Sequence, residues 1–308
     1  MNRSTCLGTW LCAIVMGVVC MTAFGQGGAP PPAAKEAPKA VPKLVPKDPH
    51  RRLAPGVLHT VEPDPQLGES FSRHDVVELL AVSDKYTWAK DVAFRHDVWA
   101  LEFKFKPVRM IYVHIPQSSG ELQRKLIWYM VYSVTNPGKT MHPVPQPDGT
   151  YKIEYEDRAV RFIPRFTLVG YESMKEEVAF EYKDQVMPVA AEQIRLREDR
   201  TRKFYTTGEM CREIAVGETV WGVATWEDVN LRVKRFSIYV DGLTNAYRWT
   251  DPPGAFKDPR EDWPGKNRRF MMKSLKLNFW RPADDKFPHE EEIRYGVPGE
   301  VDYKWVWR

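Results

Sequence analysis

Trp226-Glu227-Asp228 and Trp249-Thr250-Asp251 each place an indole two residues before a carboxylate, and Trp263 follows downstream. An indole offers a flat apolar face for a sugar ring, and a carboxylate accepts hydrogen bonds from sugar hydroxyls. Trp226, Asp228, Trp249, Asp251 and Trp263 are therefore the candidate ligand-binding residues. The competing expectation is that these are sheet tryptophans buried in a core. A glycosidase would further need two carboxyl groups about 5–9 Å apart across a cleft, which spacing along a chain does not reveal.

Other chemistries lack their signatures. The seven histidines are His50, His59, His74, His96, His114, His142 and His289, and none lies three or four residues from another. There is no Cys-x-x-Cys and no His-Glu-x-x-His, so no metal is expected. No Gly-x-x-x-x-Gly-Lys or Gly-x-Gly-x-x-Gly occurs, so no cofactor is expected. Without Gly-x-Ser-x-Gly, and with no histidine near Cys211 in the sequence, no catalytic residue is assigned. Cys211 is expected to be a small buried hydrophobe. His74-Asp75 and His96-Asp97 read as polar turn positions. The acidic stretches Asp284-Asp285 and Glu290-Glu291-Glu292 lack the alternation of a calcium loop and read as a solvated face.

The elements that must carry these residues are mostly strands. Trp99, Leu101, Phe103 and Phe105 alternate with polar neighbours, the two-residue period of a half-buried strand. Lys125 to Val134 is apolar on both faces and reads as a central strand. Strands are also expected at Val108–Ile115, Tyr151–Glu156, Val160–Leu168, Val220–Trp226, Arg235–Val240 and Met271–Trp280. Val76–Val82 is ambiguous between strand and helix. Gln117–Gly120, Asn136–Gly138, Pro143–Gly149 and Asp241–Asn245 are turns. Thr-Asn occurs in two of them, at Thr135-Asn136 and Thr244-Asn245.

Pro188 suits a first helical turn, and the good helix formers after it predict a helix to Arg197 that bridges two sheets on the surface. Glu292–Tyr295, Gly296–Gly299 and Val301–Arg308 read as a hairpin whose Tyr303, Trp305 and Trp307 dock on the body. The fold class expected is all-β: one or two packed Ig-like β-sandwiches with a short connecting helix. The domains read as a first sandwich at 57–170, then the helix, second sandwich and hairpin at 171–308.

Ahead of the body, Arg3, an apolar stretch from Leu7 to Val19, and Ala23 and Gly25 form the pattern of a secretion signal spanning 1–25, with cleavage after Gly25. An uncleaved anchor is the competing reading. Removing the signal leaves Cys211 alone of the four cysteines, so no intramolecular disulfide is expected. Residues 26–56 carry eight prolines among Lys and Ala and read as an extended tether. The 308 residues are 43% hydrophobic and 28% charged, a globular composition, and the net charge of +4 is spread along the chain. Nucleic acid is therefore not expected as a partner.

Four segments carry a resemblance: Trp99–Ile111, Arg124–Tyr132, Gly222–Trp226 and Tyr239–Trp249. They resemble a family of exported proteins of planctomycete-type bacteria with no assigned activity. The resemblance spans most of the chain after the leader. It implies export and a shared fold, and it implies no chemistry.

These readings lead to an exported, non-catalytic binding or structural module of the cell envelope, in the periplasm, at the surface or in the medium. The expected partner is a cell-envelope protein or polysaccharide, with membrane contact only through an uncleaved leader. The alternative is a glycan-binding or carbohydrate-active protein using the Trp/Asp set above.

Overall fold

In the computed structural model, residues 57–64, 67, 97–148, 151–171, 179–250, 268–282 and 293–308 are described. The leader, the tether and Val76–Val82 lie outside them. The elements are β1 (His59–Val61), β2 (Glu102–Phe105), β3 (Arg109–Pro116), β4 (Leu122–Thr135), β5 (Thr140–Pro145), β6 (Tyr151–Glu156), β7 (Val160–Phe162), β8 (Arg165–Tyr171) and β9 (Ala179–Lys183). Then come helix α1 (Pro188–Glu198), β10 (Tyr205–Thr206), β11 (Arg212–Ile214), β12 (Thr219–Trp226), β13 (Arg235–Asp241), β14 (Tyr247–Thr250), β15 (Arg269–Trp280), β16 (Arg294–Tyr295) and β17 (Tyr303–Trp307).

Two sheets face each other. Sheet I has the order β1-β2-β4-β12-β10, with β3 also on β4. Sheet II has the order β14-β15-β13-β8-β9, with β16 and β17 on β15. Alternation decides which side chains meet between them. Phe103, Phe105, Trp128, Met130, Tyr132 and Trp226 come from sheet I, and Phe166, Leu168, Phe236, Ile238, Leu275, Leu277 and Phe279 from sheet II; all are buried in one cluster. Aromatic rings join the layers, with Trp128 edge-on to Phe236 at 5.3 Å and Tyr132 against Phe166 at 4.7 Å.

The division at 170/171 is not a domain boundary. Strand β12 pairs with β4 and β13 pairs with β8, so each sheet takes strands from both halves of the chain. The described residues form one sandwich. Sequence separation misleads here because strands that are distant in the chain hydrogen-bond directly.

Strand β4 is apolar on both faces because both are covered. Its even-numbered inner residues meet sheet II, while Ile127, Tyr129 and Val131 pack with Ala190, Ala191 and Ile194 of α1. The helix forms where expected but does not bridge two sheets: it lies on the outer face of sheet I. On one edge of β4, β2 and β3 follow each other with a shift. Phe105 opposes Tyr132 and Arg109 opposes Tyr129, so one extra residue sits at Lys106–Val108. Pro107 lies in that bulge, a place where a missing amide hydrogen costs no ladder bond.

Two further differences from the sequence reading have simple causes. Ile163-Pro164 breaks the expected Val160–Leu168 strand into β7, which pairs with β11, and β8, which enters sheet II. β16 and β17 do not form a hairpin together; each pairs antiparallel with β15. The three aromatics of β17 do dock: Tyr303 and Trp305 pack on the main core and Trp307 on a smaller cluster with Val98 and Ala246.

Both Thr-Asn turns act as staples. Asn136 Nδ2 donates to the carbonyls of Arg158 and Ile214 at 2.9 and 3.0 Å, while its Oδ1 accepts from Gly138 N at 3.0 Å. Asn245 Nδ2 donates to Asp97 O at 2.6 Å and its Oδ1 accepts from Trp99 N at 3.0 Å. Beside the second turn, Gly242 has φ +89°, and a Cβ there would stand 2.3 Å from the carbonyl oxygen of Ile163. Only glycine fits that approach.

Candidate functional site

Among the described residues of the Trp/Asp set, Trp226, Asp228 and Trp249 do not come together. Trp226 is fully buried and opposes Trp128 in the inner layer, so it offers no ring to a ligand. Asp228, at φ 54°, is exposed and pairs with Lys125 Nζ at 3.2 Å. Trp249 stands at the other end of the sandwich. Trp128 touches Phe236, Phe236 opposes Phe279, and Trp249 opposes Phe270 nine residues along β15. At about 3.4 Å per residue that is roughly 30 Å. Asp251 and Trp263 lie outside the described residues, as do Asp284-Asp285, Glu290–Glu292 and His74-Asp75.

Trp249 instead belongs to an aromatic ribbon. Tyr247 opposes Met272 and Trp249 opposes Phe270, so all four side chains share one face of the β14–β15 pair. The rings of Tyr247, Trp249 and Phe270 lie 5.8 to 6.3 Å apart. Arg268 stacks on the Trp249 indole at 4.5 Å. Phe270 is 53% and Met272 43% exposed, so this apolar surface faces solvent. The sequence signal was present as alternation through Tyr247 and Trp249, but Phe270 and Met272 become their partners only through pairing.

The ribbon lies on the outer face of sheet II. Leu275, Leu277 and Phe279 of β15 point into the core, so Phe270, Met272, Ser274 and Lys276 point away from it. Further along that face is a groove of about 430 Å³ lined by Glu181, Tyr239, Lys276, Lys304, Val306 and Arg308. Tyr239 opposes Lys276, and Lys276 opposes Lys304, so three strands contribute one row. Arg308 lies over the Tyr239 ring at 4.4 Å and reaches Glu181 at 3.6 Å. A second concavity of about 410 Å³ lies beside α1. Two of its three lining cations are ion-paired, Arg195 with Glu192 at 2.8 Å and Arg202 with Asp199 at 3.2 Å, and Lys203 lies over the Tyr205 ring at 4.3 Å.

A charged cluster under the end of α1 is matched within the fold. Glu198, at the end of α1, accepts from Tyr129 Oη at 2.6 Å, Arg109 Nη1 at 2.7 Å and Lys106 Nζ at 3.0 Å. Burial alone would raise its pKa. The hydrogen bonds from Tyr129 and Lys106 and the charges of Arg109 and Lys106 outweigh this and hold it below the usual range. Cys211 is exposed at the turn before β11, contrary to the expected buried thiol. Among the described residues, no group of three or more His, Cys, Asp or Glu side chains is placed to hold a metal ion. No helix among them is long and apolar enough to cross a membrane.

The pKa values of two histidines are shifted in opposite directions. His59 stacks between Phe105 and Tyr295 at 5.5 and 4.4 Å, and burial lowers its pKa against the opposing charge of Asp302. His142 Nδ1 meets Asp97 Oδ1 at 2.6 Å, and that bond raises its pKa. Asp97 also pairs with Arg158, a contact the turn reading of His96-Asp97 did not anticipate. A lowered histidine pKa means that, as pH falls through about 6.5, the unfolded chain takes up a proton that the folded one resists. His59 therefore subtracts stability on acidification. The His142–Asp97 bond contributes below that pH and its contribution is lost as pH rises through the folded pKa. His59→Phe, which keeps the ring contacts, is expected to flatten the fall in urea midpoint between pH 7 and 5. An unchanged pH profile would show that His59 is not the titrating group.

Compared with protein-family profiles, curated proteins and solved structures, the chain matches none.

Proposed function

We propose that this chain is an exported, non-catalytic binding module of the cell envelope, and that it holds its ligand on the outer face of sheet II. The observation that carries the reading is the aromatic ribbon of Tyr247, Trp249, Phe270 and Met272, where two large apolar side chains stand 53% and 43% exposed. Large apolar side chains clustered on a solvent-facing sheet are a surface feature that binding uses and folding does not require. The leader pattern of residues 1–25 and the proline-rich tether of 26–56 support the envelope part of the proposal, because a tether gives a binding face reach from its anchoring point. The carbohydrate-active alternative draws on Trp226, Asp228, Trp249 and Asp251; burial of Trp226 speaks against a shared platform, and Asp251 lies outside the described residues.

The test uses the double variant Tyr247→Ser/Phe270→Ser. Wild-type protein is expected to co-sediment with purified insoluble envelope polysaccharide, and the variant to lose at least ten-fold of that retention. Both should show the same circular dichroism spectrum, since Phe270 is largely outside the core. Equal retention of the two proteins would reject this face as the binding surface.

A further inference from the structure

Lys276 and Lys304 are an unusual pair. They lie directly opposite each other on β15 and β17, on the outer face of sheet II. Like charges directly opposite each other on neighbouring strands repel and destabilise the pairing. A cross-strand pair on the same face avoids it: Arg165 opposes Asp241 and meets it at 2.7 Å. Neither Lys276 nor Lys304 has a carboxylate partner among the described residues, and the nearest aromatic neighbour of Lys276 is Tyr239 at 5.8 Å. A lysine on an edge strand such as β17 also discourages edge-to-edge association. That role accounts for Lys304 and leaves Lys276, on an interior strand, unexplained.

Arg308 brings a third cation to the same groove, while Glu181 is its one acidic lining residue. Arg308 already reaches Glu181 at 3.6 Å, which leaves the two lysines as the lining charges without a carboxylate among the described residues. Its volume, about 430 Å³, falls in the range of small-ligand sites. It lies on the same face as the aromatic ribbon: Lys276, Ser274, Met272 and Phe270 are successive outward residues of β15, with Ser274 buried between the two ends. From Lys276 to Phe270 is about 20 Å at strand spacing. A ligand that uses both ends must be an extended chain. Its units must offer carboxylates to the lysines and flat apolar faces to the rings.

We propose that this face binds an acidic polysaccharide, with Lys276, Lys304 and Arg308 taking its carboxylates and Tyr247 and Phe270 meeting its sugar rings. The proposal rests on the reading of sheet II's outer face as the binding surface, and it adds the ligand's charge and chemical class. An anion between the two lysines would relieve their repulsion, so the free protein is strained toward binding at that point. Binding of this kind weakens with salt, because exposed charges are screened over about 10 Å at 0.1 M ionic strength.

The experiment titrates the full chain with polygalacturonate, with the same polymer after reduction of its carboxyls to alcohols, and with poly-glutamate. Calorimetry at 50 and 300 mM NaCl reads the affinity. The expected result is binding of polygalacturonate that falls at least ten-fold with salt, and at least ten-fold again in Lys276→Gln/Lys304→Gln. The reduced polymer and poly-glutamate should both bind at least ten-fold more weakly. Wild-type affinity in the lysine variant would overturn the proposal. Equal binding of poly-glutamate would overturn the sugar assignment. If the reduced polymer binds as well as polygalacturonate and Tyr247→Ser/Phe270→Ser abolishes both, the anionic inference fails while the binding face stands. If neither variant changes any binding, the face itself is wrong. Neither lysine belongs to the core and the variant removes their repulsion, so its thermal melt should match or slightly exceed that of wild type.

Discussion

Replacing Glu198 by alanine is expected to destabilise the protein by about 3–5 kcal/mol, the range for breaking a buried, hydrogen-bonded ion pair from one side. The Glu198 side chain is 2% exposed and receives Lys106, Arg109 and Tyr129 together. Its removal leaves two cations and a buried hydroxyl facing a void beneath the end of α1. Much of the loss comes from those stranded groups, so Glu198→Gln, which still accepts from Tyr129, should cost less. The helix keeps Ile194 and Ala190 against sheet I and the Arg197 bond to Met110 O at 2.7 Å. Its C-terminal turn should therefore loosen first.

The effect has a defined pH dependence. The Glu198 carboxyl is held below its usual pKa, so its contribution is complete above about pH 4.5 and disappears as pH falls through the folded value. The gap between wild type and Glu198→Ala should narrow in acid. Urea unfolding at pH 7 and pH 4, with amide exchange across Pro188–Glu198, checks both parts. A midpoint shift below about 1 kcal/mol equivalent at pH 7 would show that the cluster is solvated.

Trp226→Ala is expected to cost about 3–5 kcal/mol through lost packing and the cavity it leaves. Trp226 is fully buried against the inner layer and shares its register position with Trp128. Trp249→Ala, by contrast, should change stability by about 1 kcal/mol or less, as a half-exposed position on a ribbon outside the main core does. The two tryptophans sit in almost the same local sequence, so the pair separates a core role from a surface role. Thermal melts of both variants decide it. A Trp226→Ala protein that melts like wild type would mean that the indole is not part of the packed interior.

What could be read along the chain was the local period. Phe103 and Phe105 alternate because one face of β2 is inside, and Phe236, Ile238 and Val240 do so for the same reason in β13. The two-sided apolarity of Lys125–Val134 correctly implied cover on both faces. The nature of that cover, a second sheet on one side and α1 on the other, was not in the segment itself. The Thr-Asn turns were visible as turns. That Asn136 and Asn245 each bind segments far away in sequence was not, because hydrogen-bond partners are chosen by the folded neighbours.

The candidate face shows the same division. Trp226-Glu227-Asp228 and Trp249-Thr250-Asp251 look alike, and strand geometry puts both tryptophans on one side of a strand. The strands they pair with then decide their fate. β12 lies against β4 inside the sandwich, whereas β14 pairs only with the first four residues of β15. Lys276 and Lys304 are far apart in sequence and become a charge pair only because β17 returns along β15. By itself, then, the sequence determined which stretches extend, which helix forms and how side chains alternate, since backbone sterics and a two-residue period act within a few residues. Only the tertiary structure decided that the two large sheets form one sandwich, which tryptophan is buried, and where two opposed lysines share a face with an exposed aromatic ribbon. Those outcomes depend on pairing and burial between residues that the chain brings together from a distance.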